Sequence, residues 1–194
     1  MRLFVAIDPP TAQRQQVAAL IAEARGLAPE ARWQRPESLH LTLVFLGHRP
    51  EEQVPAIEAV LAPVAARHQP LQLAIGSAGS FGSPSRPRIL LLRIEGAVEA
   101  LATLQRDVSL ALEPLGHEPE ERAFRPHLTL ARSRQMRGDR ALAAAREAIG
   151  AGPGGSFEAG EILLYQSELS PSGSTYTPLA RLPLGSGARN HPSP

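Results

Sequence analysis

The chain has 194 residues, 43% of them hydrophobic, and a formal net charge of +1. This length and apolar content suffice for one compact domain or two closely packed lobes, and they exclude a disordered chain. The absence of cysteine excludes disulfides, zinc-thiolate sites and cysteine nucleophiles.

The first predicted element is a short buried strand, Leu3–Ile7, which ends at the Asp-Pro-Pro sequence of residues 8–10. This apolar stretch is too short for a signal peptide or a membrane span, so we expect a cytoplasmic protein with no membrane partner. Apolar residues at helical spacing then predict a helix, and they are Val17, Ile21 and Ala24.

The next predicted strand carries a His-Leu-Thr-Leu sequence at residues 40–43. Successive side chains of a strand point to opposite faces, so His40 and Thr42 share one face while the two leucines point into the core. The buried leucines fix the register, because a slip of one residue would turn the imidazole into the core. This strand therefore presents an imidazole beside a hydroxyl.

Residues 51–67 predict a helix that is broken or bent near Pro55 and Pro63. Alternating apolar and polar residues then predict a strand over Leu71–Ile75. The stretch Gly76–Gly82 lacks the glycine spacing and the strand-to-helix setting of a nucleotide-binding loop. We expect it to be a loop between lobes.

The same pattern returns 87 residues later without a gap, since a second His-Leu-Thr-Leu stands at residues 127–130. A predicted strand and a predicted helix precede it, at Ile89–Ile94 and at Leu104, Val108 and Ala111. A helix, a loop and strand signals follow it, at Asp139–Ile149, Gly150–Ser156, Glu158–Ile162 and Glu161–Tyr165. The predicted unit is β-α-β-α-β, present twice.

Two copies of one unit predict two similar α+β lobes related by an approximate twofold axis. Such an axis would bring His40 and His127 face to face. Residues 1–184 are expected to form a single bilobal domain, followed by a flexible tail over 185–194 that includes His191.

Two histidines and two threonines in a mirrored pair suit the hydrolysis of a phosphodiester. A base must take the proton of the attacking water, and an acid must protonate the leaving oxygen on the other side of phosphorus. Two imidazoles in opposite protonation states can take these roles, because histidine titrates near neutrality. The hydroxyls of Thr42 and Thr129 can donate to the phosphoryl oxygens, where charge accumulates in the transition state.

The remaining histidines are assigned no role. One His-Leu-Thr-Leu alone would be an ordinary strand with a half-buried histidine, but packing would not require His and Thr at both equivalent positions. His48, His68 and His117 have no such duplicate context, and His48 and His117, which both follow Leu-Gly, are expected to be exposed.

All 20 basic residues are arginine, whose forked guanidinium groups suit phosphate, although a GC-rich coding genome would give the same bias. Two local clusters could rim a polyanion site or lie on solvated loops, and they are Arg132, Arg134, Arg137 and Arg140, and Arg86 with Arg88. Arg132 stands out because it follows the second motif closely. Its parity puts it opposite His127 unless the strand twists or ends first.

The chain resembles the RNA 2′,3′-cyclic phosphodiesterases, historically called 2′-5′ RNA ligases, of the 2H phosphoesterase superfamily. The matching stretches cover nearly the whole chain, and they are Arg2–Ile7, Trp33, Ser38–Gly47, Arg86–Arg88, Phe124–Arg132 and Ser167–Tyr176. The resemblance implies a bilobal α+β fold in which antiparallel sheets line a central groove, with helices outside. It also implies conversion of a terminal 2′,3′-cyclic phosphate of RNA to a 2′-phosphate.

Carried over by position, the resemblance implies that His40 donates a proton to the departing 3′ oxygen and that His127 activates water. Thr42 and Thr129 would hold the phosphate. On the sequence alone, pseudo-symmetry leaves the two histidines interchangeable.

The resemblance also implies the partners. We expect Arg132 and Arg88 to bind substrate, which would be RNA ends with a 2′,3′-cyclic phosphate or related cyclic nucleotides. The reverse reaction, 2′-5′ ligation, is allowed by microscopic reversibility. We expect a monomer that uses no cofactor and no metal.

Two alternatives stay open. One is a non-catalytic RNA-end or phosphate-binding module, which only turnover separates from an enzyme, although an aromatic content of 4% argues against a broad stacking platform. The other is a histidine metal site, for which His-x-Thr lacks the carboxylates or close additional histidines that such sites use.

Overall fold

The computed structural model describes residues 1–170 and 173–185. In chain order its elements are β1 (Arg2–Ile7), α1 (Thr11–Arg25), β2 (Arg32–Trp33), β3 (Leu41–His48), α2 (Val54–Arg67), β4 (Leu71–Ser83), β5 (Arg86–Gly96), α3 (Val98–Leu112), β6 (His127–Arg132), α4 (Arg140–Ile149), β7 (Ser156–Ala159), β8 (Glu161–Ser170) and β9 (Gly173–Pro183). Short 3-10 turns lie at Pro36–Ser38, Glu51–Gln53 and Glu113–Leu115.

The strands form one antiparallel sheet in the order β7-β4-β5-β6-β3-β1-β8-β9, with β2 added beside β6. β3 and β6, which carry the two His-Leu-Thr-Leu motifs, are neighbours at the middle of this order. The sheet therefore has two halves that meet between the motifs. The predicted α+β fold with two related lobes and antiparallel sheets is confirmed.

The two repeats exchange their third strands, which the sequence did not predict. Helices α1 and α3 begin and end 87 residues apart, at 11 and 98 and at 25 and 112. However, β4 from the first repeat pairs with β5 of the second, and β8 from the second repeat pairs with β1 of the first. Each half of the sheet thus contains strands from both repeats.

The helices pack on one face of the sheet and leave the other face as the wall of a groove. In β1, Leu3, Val5 and Ile7 belong to the main core cluster together with the buried residues of all four helices. Phe4 and Ala6 belong instead to a small separate cluster on the opposite face. This alternation follows the strand period of two.

The expected loop at Gly76–Gly82 is wrong, because these residues lie inside the 13-residue strand β4. Their pairing partners come from β5, a strand of similar length that reaches back to Arg86. A register shift between Ile75 and Ala78 marks a bulge, and the side chain of Glu95 fills the space where Gly76 has no Cβ. Glycine here permits a bulged strand with close packing.

Three further boundaries differ from the prediction. Helix α2 is continuous through Pro63, which lies on its exposed side, and Pro55 sits in its first turn, where a missing N–H costs little. The strand signals after Phe157 split at Gly160 into β7 and β8, which lie far apart in the strand order. Strand β9 had no prediction.

The expected tail over 185–194, with His191, lies outside the described residues except for Gly185. Within the part of the chain that the structure describes, no helix has the length and apolar character needed to cross a membrane.

Candidate active site

The two motifs lie side by side on antiparallel strands. The pair that joins β3 to β6 is Leu41 with Leu128. Because the strands run in opposite directions, this register places His40 opposite Thr129 and Thr42 opposite His127. The two histidines are then diagonal neighbours, which are about 7–8 Å apart on such strands. That separation allows two imidazoles to flank one phosphate group.

A bulge at the same position of each motif re-aims the following side chain. In β3 the pairing with β1 skips Leu43, and in β6 the pairing with β5 skips Leu130. An extra residue shifts the alternation by one, so Phe45 and Arg132 return to the groove face. Both line the groove. A regular strand would put Arg132 on the face opposite His127, and the bulge brings it to the same face.

Both histidines are held by the same backbone contact. His40 donates from Nδ1 to the carbonyl of Ser38 at 2.8 Å, and His127 donates from Nδ1 to the carbonyl of Arg125 at 2.7 Å. A carbonyl can only accept, so the proton of the neutral ring lies on Nδ1 and Nε2 keeps its lone pair. Each ring therefore presents Nε2 for proton transfer.

Aromatic rings fix the orientation of both imidazoles. His40 packs between Phe4, at a centroid distance of 4.8 Å, and Tyr176, at 4.9 Å. Phe81 meets His127 edge to face at 4.8 Å. Sequence reasoning missed Phe81, because it lies in the expected loop, and included Tyr176 only as the end of a matching stretch.

Burial lowers the pKa of both histidines below the ordinary value of 6.5. For His40 the loss of hydration is opposed by the hydrogen bond to Ser38 and by the carboxylate of Asp8, while Arg132 and Arg14 lower the pKa further. For His127 the bond to Arg125 raises the pKa and Arg132 lowers it. Among these influences, a carboxylate acts only on His40.

Asp8 is held in place by two partners. Arg14 Nη2 lies 2.6 Å from its carboxylate, and the hydroxyl of Tyr165 donates to the same oxygen at 2.7 Å. Burial and this bond to Asp8 raise the pKa of Tyr165, so the phenol keeps its proton. Tyr165 also stacks on Phe4 at a centroid distance of 5.2 Å, which links Asp8 to the ring beside His40.

The groove has a volume of about 970 Å³. Of the arginines that the sequence singled out, Arg88 and Arg132 line it, whereas Arg86, Arg134, Arg137 and Arg140 do not. Arg86 instead donates to Gln135 and to the carbonyl of Gly138. Within the described residues, no group of three or more His, Cys, Asp or Glu side chains is arranged to hold a metal ion.

His48, His68 and His117 are not part of the two motifs. His68 and His117 have side-chain partners elsewhere in the fold. His68 contacts Asp107 at 2.9 Å and thereby joins the end of α2 to α3, while His48 is exposed as expected. The expectation for His117 is wrong, because it is only 8% exposed and contacts Ser109 at 2.9 Å. The turn after Leu115 folds back onto α3, which covers the ring.

The sequence profile of the 2′-5′ RNA ligase superfamily matches residues 9–170. The chain belongs to the 2′-5′ RNA ligase superfamily. Proteins named RNA 2′,3′-cyclic phosphodiesterase are similar to it over most of their length. The one from Methanothermobacter thermautotrophicus is 30% identical and aligns over 91% of this chain and 95% of its own. The one from Escherichia coli is 30% identical over 94% and 96%.

Solved structures share the fold of this chain. A protein of Thermus thermophilus superposes with a TM-score of 0.75 at 29% identity and covers 95% of this chain and 98% of its own. E. coli LigT complexed with 3′-AMP superposes with a TM-score of 0.75 at 29% identity, over 94% and 97%. The resemblance inferred from the paired motifs is confirmed.

Proposed function

We propose that this protein hydrolyses the 2′,3′-cyclic phosphate at the 3′ end of RNA to a 2′-phosphate. The observation that carries the proposal is the pair of adjacent His-Thr strands, joined at Leu41 and Leu128, of which Thr42 and His127 line the groove while His40 and Thr129 lie beside them. The names of the similar proteins support it. So does the fact that LigT of E. coli was solved with 3′-AMP and with phosphate.

The proposed reaction is one displacement at phosphorus. Nε2 of His127 takes a proton from water as the water oxygen bonds to phosphorus, and Nε2 of His40 gives a proton to the 3′ oxygen as its bond to phosphorus breaks. The carboxylate of Asp8 favours the protonated form of His40, while no carboxylate among the described residues does so for His127. This difference supports His40 as the acid.

The phosphate oxygens would be held by hydroxyls and guanidinium groups. Extended by one residue from the pair Leu41 and Leu128, the register sets Thr129 opposite His40 and Thr42 opposite His127, which supports one hydroxyl for each imidazole. Arg132 acts electrostatically on both histidines, which places its charge near both, and Arg88 lines the same groove. These groups can stabilise the charge that develops on the non-bridging oxygens.

The reaction is proposed to need no metal, because imidazoles move the protons and hydroxyls and arginines balance the charge. The same groups can run 2′-5′ ligation, in which the 5′-hydroxyl of a second RNA replaces water, bonds to phosphorus and displaces the 3′ oxygen, and hydrolysis dominates in water. The expectations of a monomer, of a cytoplasmic location and of one bilobal domain over residues 1–184 stay predictions.

The proposal is tested with an oligonucleotide that ends in a 2′,3′-cyclic phosphate, in the presence of excess chelator. The wild-type protein is expected to release only a 2′-phosphate end, and His40→Ala and His127→Ala are each expected to lower kcat by about 10²- to 10⁴-fold. His48→Ala removes an exposed histidine outside the groove and serves as the control.

A 3′-phosphate product would contradict the assignment, and loss of activity with chelator would contradict the metal-independent mechanism. Binding of the cyclic end without turnover by the wild-type protein would support the non-catalytic RNA-end binding module instead.

A further inference from the structure

The groove is closed on one side of the pseudo-twofold axis and open on the other. In the first repeat, β2 adds to the edge of β6 by pairing Arg32 with Arg132 and Trp33 with Ala131. Trp33 is anchored there, since its indole N–H donates to the carbonyl of Ala28 at 2.9 Å. This short strand covers the β6 edge beyond the motif.

The equivalent closure is missing in the second repeat. The residues 87 positions after β2 are Pro119 and Glu120, which do not pair with β3. Proline has no backbone N–H to donate to a strand edge, and a glutamate has no ring to anchor the segment. Residues 42–45 of β3 therefore lack this cover, and they line the groove together with Pro119 and Glu120. We call this extension, between β3, α3 and residues 117–125, the open arm.

The open arm carries arginines that the reaction does not use. Arg106 of α3 and Arg122 and Arg125 of the following segment line it. None of the three forms an ion pair with a described carboxylate, and Glu120 is the one acidic residue among those lining the groove. Three unpaired guanidinium groups in one channel favour a polyanion.

Two of the three charges of the open arm are not part of the repeated scaffold. The positions 87 residues before Arg106 and Arg125 are occupied by Ala19 and Ser38, which are uncharged, whereas Arg122 has a counterpart in Arg35. Since the same helix and segment fold in the first repeat without Arg106 and Arg125, packing does not require these two arginines. The presence of Arg106 and Arg125 on the open side alone points to a ligand.

Apolar rings accompany the charge. Phe45 is 54% exposed at the edge of the groove, and Phe124 lines the open arm beside Arg125. Phe124 is half-buried and packs on the main core, so it offers one side of its ring to the groove. Phenyl rings next to arginines can stack nucleobases while the guanidinium groups hold phosphates. Two rings suffice for a short stretch of bases, in keeping with the low aromatic content.

We propose that the open arm binds the nucleotides on the 5′ side of the reacting end as single-stranded RNA, so that oligonucleotides are better substrates than cyclic mononucleotides. This inference rests on the proposed function. A 2′,3′-cyclic phosphate terminates its strand, so the rest of the RNA leaves the site in one direction and needs one channel. At about 970 Å³ the groove stands at the top of the range of about 300–1,000 Å³ found for single small ligands.

The test compares adenosine 2′,3′-cyclic monophosphate with oligoadenylates of two to about eight nucleotides that end in a 2′,3′-cyclic phosphate. The ratio of kcat/KM between oligonucleotide and mononucleotide is expected to rise about tenfold or more with length and then to reach a plateau. The logarithm of this ratio is expected to fall linearly with the logarithm of the salt concentration. The slope is expected to be about −0.7 for each phosphate contact.

Arg106→Ala and Arg122→Ala are expected to lower that ratio by about three- to tenfold each and to flatten the salt slope. Arg140→Ala removes the same charge outside the groove and is expected to change neither. Melting temperatures show whether each variant is folded, and both arginines are exposed on the surface.

The outcomes separate the two proposals. If the mononucleotide is cleaved but length, salt and the arginine variants leave the ratio unchanged, the open arm does not bind RNA and only this inference fails. If polyglutamate of equal charge competes with the oligonucleotide as strongly as unreactive single-stranded RNA does, the arm is a general anion or acidic-peptide surface, and the inference also fails. If no cyclic phosphate is cleaved at all, the proposed function itself fails.

Discussion

Asp8 gives the two imidazoles different surroundings although their backbone contacts are the same. It directly follows β1, and its negative charge raises the pKa of His40, against the larger effect of burial. The residue 87 positions later is Glu95, which is exposed and does not affect the pKa of His127. The symmetric pair of histidines is thus made unequal by a residue outside the motifs.

Asp8→Asn is therefore expected to shift one limb of the pH-rate profile. Loss of the carboxylate, which also leaves Arg14 unpaired, lowers the pKa of His40, so the alkaline limb that reports the acid moves to lower pH. The acid limb, which reports His127, stays in place. The measurement is kcat/KM against pH, with Glu161→Gln as the control, because that carboxylate pairs with Arg181 instead.

A shift of the acid limb instead would mean that His40 is the base. No shift of either limb in folded Asp8→Asn would show that the carboxylate does not tune the site.

The threonine hydroxyls are expected to act in the transition state. Thr42→Ala and Thr129→Ala should each lower kcat by about 10²-fold with little change in KM, as when one donor to a developing oxyanion is removed. Thr42→Ser and Thr129→Ser keep the hydroxyl and should retain most of the rate. Single-turnover kinetics measure the step directly, and full rate in the alanine variants would contradict the role.

At the scale of elements, the loop before β7 completes the bulge of β4. The N–H of Ala78 donates to the carbonyl of Gly150 at 2.8 Å, on the residue that follows the register shift. Gly152 has a φ of +75°, and a Cβ there would collide with the carbonyl oxygen of Gly76. Gly154 has a φ of +67° with open space around it.

This contrast makes a matched pair of substitutions. Both Gly152→Ala and Gly154→Ala force a side chain into the left-handed region, at a cost of about 1–2 kcal/mol. Gly152→Ala is expected to cost about 2 kcal/mol more, because the backbone of β4 must also move. Urea unfolding measures the difference, and equal midpoints for the two variants would show that the loop does not support the bulge.

Elements that depend on local periodicity could be predicted, and those that depend on distant partners could not. The helices and the motif strands show apolar spacings of 3.6 or 2, so the sequence places them within a few residues. The stretch Gly76–Gly82 has no such spacing, and it is a strand because β5 pairs with it along its length. Because this part of β4 was not predicted as a strand, the sequence did not identify Phe81, which contacts His127.

At the scale of the whole molecule, the 87-residue offset predicts the twofold frame and the facing motifs. It does not predict the exchange of β4 and β8, because a repeated unit packs equally well with its own third strand or with the copy's. It also does not predict which side stays open. That depends on departures from the repeat, such as Pro119 and Glu120 where the first copy has β2.

Acidification is expected to destabilise the whole fold through its covered histidines. Burial lowers the pKa of His40, His117 and His127 below 6.5, so the unfolded chain binds more protons than the folded one as the pH falls. The stability that these rings contribute is complete above pH 6.5 and is lost as the pH falls towards their lowered pKa values.

His117 allows this expectation to be tested away from the reacting phosphate. In the neutral ring, Nε2 shares one hydrogen bond with the hydroxyl of Ser109, and protonation puts a buried charge at this contact. His117→Gln keeps an acceptor but does not titrate, so its melting temperature should fall less than that of the wild type between about pH 7.5 and pH 5. Equal slopes for the two proteins would show that folding does not change the pKa of His117, and a flat wild-type curve would contradict the lowered pKa of all three histidines.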